Sequence, residues 1–178
     1  MPSRAGTRVL PVAVVTLVAL TYAAVVVQHT AGAYVRGESL WAKGQKGAVI
    51  ALARYAETRR PADLAEAHRS LRVPLADRRA REELQGAAPD YAAAARHFVA
   101  GGNAASDAHN MARLFPVFRR VPAAQRAIEA WTAADVLVDS LGMAAAELER
   151  AVAAHDEEGI AAMLDRTYAL DRRLTLLE

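Results

Sequence analysis

The 178-residue chain contains no cysteine. That absence excludes disulfide staples, thioether haem attachment and thiolate metal sites. Aromatic residues are scarce at 6%, with only two tryptophans. No stretch of useful length alternates apolar and polar residues at period two, so nothing predicts a β-sheet. Beyond the first 27 residues there is no second long apolar run. The soluble part also lacks a charge of either sign. The 22 Lys and Arg, less Arg4 and Arg8, leave 20 against 20 Asp and Glu. A balanced body carries no electrostatic footprint for nucleic acid. No HExxH, GxSxG or phosphate-cradling glycine loop occurs, and no catalytic constellation or cofactor is expected.

What is present is one uncharged run, Val9 to Val27, preceded by Arg4 and Arg8. As a helix its nineteen residues extend about 28 Å, close to the hydrocarbon thickness of a bilayer. The organisation predicted is a cytoplasmic tail over 1–8, a transmembrane helix over 9–28 and an extracytoplasmic helical domain over 34–178. The two arginines set that orientation. Tyr34 at the exit suits an interfacial aromatic. A cleaved signal peptide is the competing reading, since Ala31-Gly32-Ala33 has the small-x-small form of a cleavage site. The apolar run exceeds the usual h-region length of about 7–15 residues, which favours the anchor.

The fold class predicted is all-α: the spanning helix followed by an elongated bundle with long antiparallel, heptad-seamed helices. The first helix after the span covers about 34–58 and could continue directly from it. Its apolar line is Trp41, Gly44, Ala48, Ala51 and Tyr55, read as close helix approach rather than a ligand hollow. Pro61 suits the first turn of the second helix, which presents Leu64, His68, Leu71 and Leu75 and is interrupted by Pro74. His68 is expected to be partly buried. A loop at 86–89, a short helix at 90–100, a break at Gly101-Gly102-Asn103 and a helix at 106–120 follow. The last two helices are the most regular. Ala127, Trp131, Ala134, Val138, Leu141, Ala145, Leu148 and Val152 alternate spacings of 4 and 3. Ile160, Met163, Thr167, Leu170, Leu174 and Leu177 do the same, and two such seams predict an antiparallel hairpin. The final helix is still periodic where the sequence ends. Were a second span to follow, the Gly101-Gly102-Asn103 break would have to reverse the chain.

Several segments resemble a known sensory region. They are Tyr34-Val35-Arg36-Gly37-Glu38-Ser39-Leu40-Trp41-Ala42-Lys43-Gly44-Gln45-Lys46, Val73-Pro74-Leu75-Ala76-Asp77-Arg78-Arg79-Ala80-Arg81, the Ala100–Asn103 turn and Arg126-Ala127-Ile128-Glu129-Ala130-Trp131-Thr132. Their order is similar to the N-terminal extracytoplasmic helical sensor region of bacterial transmembrane signalling receptors. In hybrid histidine kinases and diguanylate cyclases or phosphodiesterases such a region precedes a second span and the output modules. The resemblance covers essentially all of 34–178. It implies an inner-membrane location, a periplasmic domain, a parallel homodimer and a small-molecule or periplasmic protein ligand. The chain departs from that pattern in having no second span, phosphoacceptor box, GGDEF or EAL motif. A secreted or anchored helical binding or adaptor protein without signalling output is the alternative.

Candidate ligand contacts are Arg72, Arg78, Arg79 and Trp131. The arginines, with Arg81, crowd the Pro74 irregularity, and guanidinium forks match carboxylate or phosphate, so an anionic ligand is one expectation. A kink at Pro74 could instead rotate Ala76, Ala80 and Leu84 inward and leave the arginines on a solvated face. Trp41 and Trp131 lie on seams, where aromatics fill core volume. The five histidines share no metal-ligand spacing, and no metal is expected.

Overall fold

The computed structural model describes residues 6–177, with side chains from residue 10 onward. Arg4 lies outside the described residues, and of Arg8 only the helical backbone falls within them. The described residues form six α-helices and no strand. The all-α class therefore holds.

α1 runs unbroken from Gly6 to Thr58, 53 residues, or about 80 Å. It has two physical halves. From Leu10 to Val27 the apolar side chains are exposed except the half-exposed Val26, and the most apolar window has no buried residue. Such a surface is costly in water, at roughly 25 cal/mol per Å², and this helix is long and apolar enough to cross a membrane. Burial begins at Thr30 and Ala33, where the other helices first meet α1. Trp41, Gly44, Ala48, Ala51 and Tyr55 are then all buried.

Arg59 turns the chain with a left-handed φ of 59°. α2 (Pro61–Gln85) then descends along α1 with Pro61 in its first turn. Asp63 fastens this corner: Thr58 Oγ1 donates to it at 2.6 Å and Arg60 Nε at 3.1 Å. Thr58 first, and then Arg60 and Arg54, hold its carboxyl below the usual range. Pro74 stays inside α2 without ending it. Along the first half of α2, Leu64, Ala67 and Leu71 face inward and His68 is exposed. The expected burial of His68 is thus replaced by that of Ala67, one position earlier on the helix. Past Pro74 the buried set shifts to Ala76, Ala80 and Leu84.

After bends at 86–88, Asp90 caps α3 (Tyr91–Ala100) by accepting from the Ala92 and Ala93 amides. α3 lies along the lower part of α2 and ends at Gly101–Asn103, where Gly102 supplies a φ of +94°. The Gly102 amide donates to Val99 O and the Asn103 amide to Phe98 O, satisfying carbonyls the helix end would orphan. The turn sends α4 (Ala105–Phe118) obliquely across α1. There Asp107 accepts from Arg36 at 2.7 Å, and the Phe118 ring lies 5.0 Å from that of Tyr34. Tyr34 is no interfacial anchor. Its hydroxyl donates to Met111 O at 2.7 Å beneath α4, and burial raises its pKa.

α5 (Pro122–Ala153) climbs again and α6 (Glu157–Thr175) descends. At its start Glu157 pairs with Arg59. Near its end Asp171 accepts from Gln45 at 2.6 Å and Lys46 at 2.9 Å. The last helix thus returns toward the side of the molecule where the exposed apolar half of α1 lies. Ala134, Val138, Leu141, Ala145 and Leu148 of the α5 seam meet Ile160, Leu170 and Leu174 of α6 in the main core. The lower seam is less covered, with Ala127 and Trp131 half-buried. A second core joins Ala33, Ala80, Phe98, Met111 and Phe115 around the α3–α4 turn.

His155 closes α5 at φ 53°. Its amide donates to Val152 O at 3.2 Å and that of Asp156 to Ala151 O at 3.0 Å. This left-handed position carries a Cβ penalty that glycine lacks. His155→Gly is expected to stabilise the body by about 0.5–1 kcal/mol, read as a higher denaturant midpoint at unchanged slope.

Candidate functional site

Below Pro74 the body encloses a small chamber of about 30 Å³ between α1, α2, α3, α4 and α5. α1 contributes Tyr34, Gly37, Glu38 and Trp41; α2 contributes Asp77 and Arg81. Phe98, Met111 and Phe115 close it from α3 and α4, and Trp131 from α5. Space of that size admits about two waters. Glu38, Trp41 and Trp131 also wall a cleft of about 570 Å³ between α1 and α5, so Trp131 stands between chamber and cleft.

The local sequence explains why charge lies here. Arg78 and Arg81 are three apart on α2, and Asp135 and Asp139 are four apart on α5; each pair shares a helical face. Arg81 Nη2 is bonded to Asp135 Oδ2, with both side chains largely buried. Arg78 donates to Glu82 at 2.8 Å and to Asp139 at 2.7 Å, and its Nε stands 3.8 Å from Asp135. Bonds to Glu82 and Asp139 raise the Arg78 pKa further. Burial pushes the Asp135 carboxyl up, and Arg81 and Arg78 draw it partly back.

Asp77 is different. Its Oδ1 is buried and has no hydrogen-bond partner. A Cβ at Gly101 would come within 2.6 Å of that oxygen, so glycine there makes room for the carboxyl. Desolvation raises the Asp77 pKa to about 7, opposed only in part by Arg81. A carboxyl raised in the folded state stabilises that state fully below its unfolded pKa and loses the contribution as pH rises through the folded value. Asp77 therefore weakens the fold progressively between about pH 4 and pH 8. Asp77→Asn is expected to stabilise the protein by about 2 kcal/mol at pH 8 and by about a third of that at pH 5. Chemical denaturation of both proteins at the two pH values checks this.

The four residues singled out in the sequence do not share one concavity. Trp131 lines the chamber and the cleft. Arg78 lies on the α2–α5 seam with its guanidinium committed to acids. Arg79 is exposed on a shallow outer groove with Glu82, Glu83 and His97. Arg72 is exposed a full turn and a half above the chamber. Nothing in the sequence marked Asp77, Asp135 or Phe98 as site residues. The one available signal was the acidic pair Asp135 and Asp139, each directly following a seam residue.

Fold and site define a class: an all-helical body carried on a helix able to cross a membrane, with a small, mostly apolar and aromatic chamber where its elements converge. No protein-family model, curated protein or solved structure matches the chain.

Proposed function

We propose that this chain is the membrane-anchored sensory input domain of a bacterial signal-transduction receptor. The observation that carries the reading is the continuity of α1. One helix passes from an exposed apolar segment into the wall of the chamber without a break. A change of packing around Trp41 or Trp131 would therefore be felt in the span, because a continuous helix transmits displacement. α6 supports the same reading. It is tied to α1 through Asp171 and returns toward the span, so movement of one helix against the other would reach the membrane as a relative shift. A ligand must favour one packing over the other, since equal affinity shifts nothing.

In this reading the N-terminus is cytoplasmic, the body periplasmic and the working unit a parallel homodimer. Catalysis belongs to other modules. Ala33 is 1% exposed, packed in the core around Phe98 and Met111. Release after that residue would take Thr30 and Ala33 out of the fold, which favours retention of the anchor. The intact mass of the mature protein, with its resistance to alkaline extraction from membranes, tests this. The full chain in the membrane fraction is expected. A soluble product beginning at Tyr34 would instead make it a secreted helical binding protein.

A further inference from the structure

We propose that the chamber is a binding site for a small organic cation, an alkylammonium. Its charged head would meet Asp77 within a ring of aromatic faces, and its tail would lie in the α1–α5 cleft past Trp131. The inference rests on the sensor reading above and gives that site a ligand class.

Charge balance argues first. Of the charged residues only Glu38, Asp77 and Arg81 line the chamber. One fixed cation therefore meets two carboxyls there, and its guanidinium is already bonded to Asp135. An anion would have to displace Asp135. A cation would find Asp77, whose buried Oδ1 has no partner and would have to turn toward the chamber to meet it. The walls argue second. Tyr34, Trp41, Phe98, Phe115 and Trp131 line the chamber, and aromatic faces attract ammonium groups, more strongly when water is excluded. Calcium or magnesium is a poor fit, because either needs about six or more oxygen ligands and this wall offers few. Size argues third. About 30 Å³ takes an ammonium head and one carbon, while the cleft of about 570 Å³ beyond Trp131 has room for a longer chain.

The groups facing Asp77 also fix the pH response. They are Arg81 on its own helix, Tyr34 and Glu38 from α1, and Asp135 from α5 through Arg81; α3 and α4 present Phe98, Met111 and Phe115, without charge. Ammonium binding requires the carboxylate, so affinity should rise as pH increases through the Asp77 value of about 7.

The test uses the full chain in lipid nanodiscs, titrated calorimetrically with propylammonium chloride, 1-propanol and sodium propionate at one ionic strength. Saturable binding of propylammonium alone is expected, about tenfold weaker at pH 6 than at pH 8. Asp77→Asn, which should fold at least as well as the parent at pH 8, is expected to lower affinity at least tenfold. Arg79→Ala, on the outer groove, should leave it unchanged. Equal binding of 1-propanol, tighter binding of propionate, undiminished binding by Asp77→Asn, or no saturable binding at all would each overturn the assignment. Those failures would leave the receptor reading standing if the body proves periplasmic. A cytoplasmic body would end that reading whatever the chamber binds.

Discussion

Replacing Arg81 by methionine is expected to cost about 2–4 kcal/mol of stability at pH 8. The side chain is only 8% exposed, and its guanidinium neutralises Asp135, itself 16% exposed, from across the α2–α5 contact. Removing one partner leaves a buried carboxylate uncompensated, which commonly costs about 3–5 kcal/mol. The expected loss is somewhat smaller here because Arg78 Nε stands 3.8 Å from the same carboxylate and can take up part of its charge. Asp77 adds to the effect, since Arg81 is the group that opposes its desolvation. Both carboxyls already sit above their ordinary range and would be pushed higher in the variant. Their protonated forms cost less to bury, so the loss should shrink as pH falls from 8 to 5. The double variant Arg81→Met, Asp135→Leu should recover most of the stability, because an apolar pair of similar volume often replaces a buried ion pair at little net cost. A double-mutant cycle followed by denaturant unfolding measures the coupling. A single variant no less stable than the parent would show that the α2–α5 contact does not depend on this pair.

Two glycines give the second large contrast, with opposite signs. Gly44 lies at a close approach of α1 and α2. A Cβ there would stand 2.9 Å from the Ser70 backbone oxygen and 2.9 Å from Val73 Cβ. Neither is the far end of a flexible side chain, so the helices would have to separate. Gly44→Ala is expected to destabilise by about 2–3 kcal/mol, in the range of other overpacked cores. Gly142 sits in the middle of α5 with nothing within 4 Å of its would-be Cβ. Gly142→Ala removes backbone freedom from the unfolded chain without a clash, and should stabilise by about 0.5–1 kcal/mol. Thermal unfolding of both variants beside the parent distinguishes the two environments. A neutral Gly44→Ala would show that α1 and α2 can separate at this point without loss of stability.

The pattern of apolar residues made much of the architecture legible. Trp41, Gly44, Ala48, Ala51 and Tyr55 are spaced for one helical face, and all are buried. Pro61 and Pro122 begin α2 and α5 because a first-turn residue has no intrahelical partner for its amide. The α5 and α6 seams form one core from Ala134 to Leu148 and from Ile160 to Leu174. Periodicity did not say where a seam would be covered. Ala127 and Trp131 continue the α5 pattern, yet the chamber and cleft leave them half-exposed.

The polar site was harder to read, for a physical reason. Arg72, Arg78, Arg79 and Arg81 look alike in sequence, and the fates of the last three depend on how α2 presents them after Pro74. The same change that buries Ala76, Ala80 and Leu84 leaves Arg79 in solvent while enclosing Arg81 against α5. An acid on a helix 54 residues away decides that outcome, and local spacing cannot reveal it. Asp77 escaped notice because its isolation depends on Gly101, whose missing Cβ leaves space for the carboxyl. The Gly101–Asn103 break was visible as a turn. Its second role in shaping the chamber was not.

The proposed receptor requires α1 to be embedded in lipid at one end and packed into a body outside the cytoplasm at the other. Because the chain has no cysteine, single cysteines placed at Thr7 and at the exposed Ala104 report the two sides without background. Intact cells and permeabilised cells treated with a membrane-impermeant maleimide give the answer. Labelling of Ala104→Cys in intact cells, with Thr7→Cys labelled only after permeabilisation, is the expected result. Protection of Ala104→Cys until the inner membrane is opened would contradict it.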